Sequence, residues 1–320
     1  FELSEGCSVH CFFCALDAGR LQKNFLFTPQ NEELFRGVLE VTRELIGDMA
    51  SSAACYLSTE PLDNPDYEKF LLRFKEIFGY YPQTTTAAAE RDPKRMRGFM
   101  EQLGKEEMEH HALRFSVRSL QQFRQIMDLY TPEELEDVEL LFNHMESDTR
   151  FSDSGRVRML PDHVREKLFL MNYSIVCLAG LCVNFASGTL RWIEPEVPCD
   201  EYPLGYRILE ETSFQTVEEY RQEAERLLRA YTAPGLDHDR PLFFTKGVSP
   251  DFEGNMVILQ SAGSVLRVTG NQIFQDSIRL LSEKKHTFRE LCGEMGLSTF
   301  SSGELKKKLT PLYEKGYIRC

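Results

Sequence analysis

Cys7, Cys11 and Cys14 lie within eight residues, in the run CSVHCFFC, separated by three residues and then by two. Thiolates at this spacing can curl around one iron–sulfur cubane and meet three of its corners. A fully ligated structural cluster needs a fourth cysteine, and the next one is Cys55. The fourth iron is therefore open to a ligand from outside the chain, and that iron is where chemistry would occur. Zinc takes similar ligands, but its structural sites close with four, usually as two paired knuckles, and no second pair is present. A disulfide framework suits small secreted chains, not one of 320 residues with an odd count of nine cysteines.

The elements that must hold this loop are legible as an alternation. Short β-like runs at Phe1 to Leu3, Ala53 to Ser58, Tyr81 to Thr86, Leu113 to Val117, Val138 to Phe142 and Tyr173 to Leu178 are separated by amphipathic stretches such as Asn31 to Ile46 and Pro65 to Phe78. Such a rhythm predicts an α/β domain with a parallel sheet. Six strands suit a partial barrel open on one side, which would admit a large substrate such as a peptide. Functional groups in such folds gather at the C-terminal ends of the strands, and the cysteine loop follows the first strand as that rule requires.

Composition bounds the setting. A 42% hydrophobic content fills a substantial core, and no apolar run reaches the length of a membrane span. Reduced thiols and an oxygen-sensitive cluster predict a cytoplasmic location and no membrane partner. The sequence opens inside a strand, so a further N-terminal segment is expected. The net charge of -13 argues against nucleic acid as a partner. From Ser264 onward 10 Lys and Arg face 6 Asp and Glu, so the C-terminal part is the basic one.

The cysteine spacing resembles that of the radical S-adenosylmethionine (SAM) enzymes. In that family a [4Fe-4S] cluster chelates the amino and carboxylate groups of SAM through its open iron, and reduction by an external electron donor yields a 5'-deoxyadenosyl radical. Phe13 stands where the family usually has an aromatic ring near the adenine. In YLSTEPLDNPDY, Thr59, Glu60 and Pro61 take the place of the Gly-Gly-Glu-Pro-like motif that binds the methionine amino group, with Ser58 and Thr59 replacing the glycines. Glu60 can accept a charge-assisted hydrogen bond from an ammonium group, and Asp63 and Asn64 can order the turn, as in any strand-to-helix loop.

The segments PQTTTAAAERD, LRFSVRSL, VELLFNHMES, YSIVCLAGLCVNFASG and PCDEYPLGYRI extend the resemblance to the radical SAM enzymes that mature ribosomally made peptides, and within them to the peptide amino-acid epimerases. It implies a partial (β/α)6 barrel over residues 1–195, a connecting or cap segment over 196–250 and a winged-helix-like domain over 251–320. The strand ends at Ser116, Asn143 and Gly180 correspond to positions that approach the ribose, carboxylate and adenine of SAM.

In the C-terminal part, Asn255 to Gln260 and Ser264 to Val268 read as a hairpin around Ser261 to Gly263. Helical patterns follow at Asn271 to Ser282, Thr287 to Met295 and Ser302 to Lys315, then Tyr317 and Ile318 as a closing strand. This order is winged-helix-like. A similar module in peptide maturases, resembling the small PQQ-biosynthesis chaperone, captures the leader of the precursor peptide at a sheet edge. DNA binding is the rival reading because of Lys306, Lys307 and Lys308, but lysines on a helix face are usually just solvated.

Epimerisation at Cα, from L to D, requires removal of a hydrogen from one face and its return from the other. A thiol is the natural donor. Six cysteines remain: Cys55 and Cys177 fall in expected strands, Cys182 follows the last of them, Cys292 and Cys320 lie in the C-terminal module, and Cys199 stands in a loop between Pro198 and Asp200. Cys199 is the candidate catalytic donor. Nothing resembles ligands for an auxiliary cluster. Two alternatives stay open: a splicease that excises a tyrosine-derived tyramine unit to leave a β-amino acid, with a small partner protein, and a winged-helix regulator whose cluster senses oxygen or iron. His10 reads as a spacer in the loop, His110 and His111 as solvated or capping, and Trp192 as core or peptide-contacting.

Overall fold

Leu and Phe at helical spacing and short strands between the helices build a mixed α/β fold, which a computed structural model describes for residues 1–109, 112–172, 180–231, 239–261 and 265–319. The chain divides into two compact units. The first comprises Phe1–Met171, Gly180–Ile193 and Ile208–Glu225, and the second includes Glu194–Arg207 and Arg226–Cys320.

In chain order the first unit carries β1 (Ser4–Glu5), β2 (Lys23–Asn24), α1 (Pro29–Ile46), α2 (Tyr67–Phe78), β3 (Thr84–Thr86), α3 (Pro93–Glu109), β4 (Leu113–Val117), α4 (Leu120–Leu129), α5 (Pro132–Leu135), β5 (Glu139–Phe142), β6 (Arg150–Ser152), α6 (Asp162–Arg165), β7 (Phe169–Met171) and β8 (Gly180–Asn184). β9 (Thr189–Pro195), β10 (Tyr206–Ser213) and α7 (Val217–Tyr231) follow. β3, β4 and β5 form a parallel sheet in that order, and β6 pairs with β7 in parallel. β8 and β9 run antiparallel. The expected strand Phe1 to Leu3 is a correction: only Glu2 pairs there, as an isolated parallel bridge to Asn184 of β8, its N–H donating to Val183 O at 2.7 Å and Phe185 N–H donating to its O at 2.9 Å, and the strand itself is β1.

Local chemistry sets the boundaries. α1 starts at Pro29, ahead of the expected Asn31, because Thr28 caps it by accepting from Asn31 N–H and proline suits the first helical position. α2 starts at Tyr67, after the expected Pro65, because Asn64 Oδ1 accepts from Asp66 N–H and holds that turn outside the helix. Leu113 to Val117 is a strand with the expected bounds, whereas the expected strands from Tyr81 and Val138 shorten to Thr84–Thr86 and Glu139–Phe142.

Ala53 to Ser58 is a correction: it is irregular, not a strand. Side chains replace the ladder there. Ser58 gives both its N–H and hydroxyl to the buried Glu2 carboxylate, and Tyr56 donates to Thr85 Oγ1 at 2.8 Å. The expected strand Tyr173 to Leu178 lies outside the described residues, as do Cys177, Cys320, His110 and His111.

Behind the sheets sits an aromatic core. Phe35 touches Phe70 and Phe185 with ring centroids 5.0 Å apart in both cases, and Phe25 lies 5.4 Å from Phe70 and 5.2 Å from Phe185. Full burial of each ring contributes about 1.5–3 kcal/mol, which fixes α1 and α2 against the strand that carries the cysteine loop.

The second unit contains an antiparallel meander, β12 (Ser249–Glu253), β13 (Met256–Gln260) and β14 (Val265–Thr269), preceded by β11 (Pro241–Phe244). The expected hairpin is present as β13 and β14, with most of its turn outside the described residues. β12 extends it, with exposed Ser249, Asp251 and Glu253 alternating with half-buried Pro250 and Phe252. α8 (Gln272–Glu283), β15 (His286–Thr287), α9 (Phe288–Glu294), α10 (Thr299–Glu314) and β16 (Ile318–Arg319) follow, and β11 lies between β15 and β16. Leu242, Val257, Leu259, Phe274, Ile278 and Leu309 are among the residues of its core.

Candidate functional site

The cysteine loop is closed at its base. β1 and β2 pair antiparallel on either side of it, and Cys7 N–H donates to Gly19 O at 2.9 Å. Gly6 permits this closure: with φ +81° it brings its backbone so near that a Cβ would stand 2.1 Å from Arg20 O.

Four further contacts hold the loop. Ser8 gives its N–H to Asp63 Oδ2 at 2.7 Å and its hydroxyl to Asp63 Oδ1, while Arg91 Nη1 donates to Ser8 Oγ. Asp63 therefore does more than order its own turn. Val9 packs with Ala87 and Ala88 just beyond β3, with Cys7 and Cys11 against the same cluster. Phe13 sits 5.3 Å from Phe12 and 5.8 Å from Phe151 of β6. The last contact comes from Gly155 and Arg156, whose main chain and guanidinium meet Cys11, Cys14 and Ala18.

Cys7, Cys11 and Cys14 are free and half-buried. Two of the sulfurs accept backbone N–H bonds, Cys7 Sγ from Val9 at 3.4 Å and Cys14 Sγ from Ala18 at 3.5 Å. Burial pushes the Cys11 thiol up to about 12 and raises that of Cys7, so ligation would release protons. Among the described residues no three His, Cys, Asp or Glu side chains converge where a single ion would sit. A cubane makes a different demand, because each thiolate meets a different iron. Three unpaired thiols on one tethered loop, with amides already directed at two sulfurs, fit that group.

Glu60 is buried and its carboxylate is engaged: Thr86 Oγ1 donates to Oε1, Ala87 N–H to Oε2 at 2.9 Å and Leu62 N–H to Oε1 at 3.2 Å. Burial holds its carboxyl above the usual range. Its present partners are thus the end of β3 and its own turn. Thr59 is half-buried beside it. Ser116 and Asn143, read from separate segments, come together at the C-terminal ends of β4 and β5, where Asn143 Nδ2 donates to Ser116 Oγ at 2.9 Å. Gly180 opens β8 with φ +114°, and Trp192 is buried beside it. Cys199 is exposed and belongs to the second unit.

Several residues here escape sequence reasoning. Glu2 is buried and also receives a bond from Asn184 Nδ2 at 3.2 Å, with Cys182 Sγ 4.0 Å away. Arg118, at the end of β4, lies close enough to Cys11 to act on its thiol and pairs with Glu90 at 3.1 Å. Only Gly6, directly before Cys7, carried a readable signal.

No protein-family model matches the chain. Uncharacterized protein y4wI of Sinorhizobium fredii (strain NBRC 101917 / NGR234) is 34% identical over an alignment of 255 residues that covers 77% of this chain and 49% of that protein. The chain thus spans about half the length of the curated relative it matches. The crystal structure of BtrN in complex with AdoMet and 2-DOIA aligns with 71% of this chain and 84% of its own, at 16% identity and a TM-score of 0.39. At that level it establishes neither a shared fold nor a shared activity.

Proposed function

We propose that the chain is a radical SAM enzyme that modifies a ribosomally made precursor peptide, by epimerisation at Cα. The observation that carries this reading is the tethered loop with three unpaired thiols at the end of the first strand. Cys7, Cys11 and Cys14 would hold the [4Fe-4S] cluster. When bound, that cluster and SAM supply a carbon radical able to abstract a hydrogen atom from the peptide.

The chain's own residues bind and orient. Phe13 offers an aromatic face next to the third cysteine, and the Ser116 and Asn143 pair offers a hydroxyl and an amide at adjacent strand ends. Thr59 and Glu60 would meet the methionine ammonium, and Gly180, buried at the start of β8, presents no side chain of its own. Cys199, an exposed thiol, is the candidate hydrogen donor. The second unit, basic from Ser264 onward and with a meander that ends at the edge strand β14, would take the leader of the peptide by strand addition.

Mass spectrometry of a precursor peptide treated in heavy water with SAM and reductant tests the reading. Deuterium at Cα without change of connectivity is the expected result, with Cys199→Ala abolishing incorporation. A product lighter by a tyramine-sized fragment, or no change in the peptide, would contradict it.

A further inference from the structure

The two non-glycine residues with positive φ among the described residues are His10 at 53° and Asp17 at 44°. Both lie in the cysteine loop, on either side of Cys11 and Cys14, and L-residues rarely adopt such angles unless the surroundings impose them. One side chain contacts both. Arg156 donates from Nε to Asp17 Oδ1 at 3.0 Å and from Nη2 to His10 Nδ1 at 3.3 Å. The same guanidinium donates from Nη1 to Cys11 O at 3.2 Å and from Nη2 to Ala18 O, and the Arg156 backbone N–H reaches Cys14 O at 3.0 Å. The side chain is only 18% exposed.

Gly155 makes this approach possible. At φ +54° its absent Cβ would fall 2.4 Å from Cys14 O and 2.3 Å from Ala15 O. The segment after β6 is thus seated directly on the carbonyls of the ligand loop. A planar fork of five N–H donors can serve acceptors in several directions at once, which an ammonium cannot.

We propose that Arg156 is the positioning residue that imposes the ligand-presenting conformation on the cysteine loop, acting through His10, Cys11, Cys14, Asp17 and Ala18. It deepens the reading above, and rests on it only for what the loop holds. The nearby Arg158 makes an internal control, because it pairs with Asp153 at 3.7 Å.

The test is pulsed alkylation of the whole 320-residue chain, reduced and metal-free, with each cysteine followed by mass spectrometry and exposed Cys199 as reference. In Arg156→Gln, Cys7, Cys11 and Cys14 should react about 10-fold faster relative to Cys199, as their burial relaxes, while Arg158→Gln matches the native chain. After anaerobic reconstitution, Arg156→Gln should retain roughly half the native iron or less, with an altered electron paramagnetic resonance line shape. Native alkylation rates and a native spectrum in Arg156→Gln would overturn the assignment. If that variant loses its melting transition, Arg156→Lys replaces it, and native rates there overturn the assignment equally. Failure of the native chain to take up iron would instead remove the cluster reading and leave the alkylation result standing.

Discussion

Gly155 and Asp66 show how single residues constrain the first unit, Gly155 at the cysteine loop and Asp66 at the start of α2. At Gly155 a methyl group would collide with two carbonyls of the ligand loop, and the left-handed backbone alone costs an L-residue about 1–2 kcal/mol. Gly155→Ala should therefore lower unfolding free energy by at least about that amount and reduce iron uptake in the same preparation; denaturant titration with iron analysis checks both. Asp66 receives the Lys69 ammonium at 2.6 Å and the Phe27 N–H at 2.9 Å, and these bonds, the Lys69 one foremost, lower its pKa below 3.8. A depressed carboxyl binds fewer protons folded than unfolded, so its contribution is present above 3.8 and is lost as pH falls through the lowered value. Melting temperatures of the native chain and Asp66→Asn should differ at neutral pH and converge below pH 3.8.

At the scale of elements, legibility followed length and sequence distance. Leu113 to Val117 was readable because five residues, four of them buried, sit between clear polar flanks. β6 and β7, three residues each, are too short for periodicity to register. Ala53 to Ser58 looked like a strand because it opens with a short continuous apolar run, yet Ser58 gives its N–H to Glu2 instead of to a ladder partner. The cysteine motif was legible because its spacing is local. Its anchors were not, since Asp63 and Arg156 meet the loop only after 55 and up to 146 residues of separation. The aromatic wall behind the loop carries its own prediction. Phe35→Ala should cost about 3–5 kcal/mol in the unfolding of the first unit, measured by chemical denaturation, because Phe35 is fully buried against Phe70 and Phe185.

For the whole molecule, an acidic chain with a basic C-terminal part combines a loop suited to cluster chemistry with a separate unit that ends in a sheet edge. No helix among the described residues is long and apolar enough to cross a membrane. If the second unit takes the leader by strand addition, a precursor without its leader should be modified about 10-fold more slowly or worse, compared at equal concentration by mass spectrometry. The central claim is that Cys7, Cys11 and Cys14 hold a cubane whose remaining iron takes SAM. Anaerobic reconstitution followed by dithionite and SAM tests it most directly: about four irons per chain and release of 5'-deoxyadenosine are predicted, both lost when the three cysteines are replaced by alanine. A native chain that binds no such cluster, or binds it and releases no 5'-deoxyadenosine, would contradict the account.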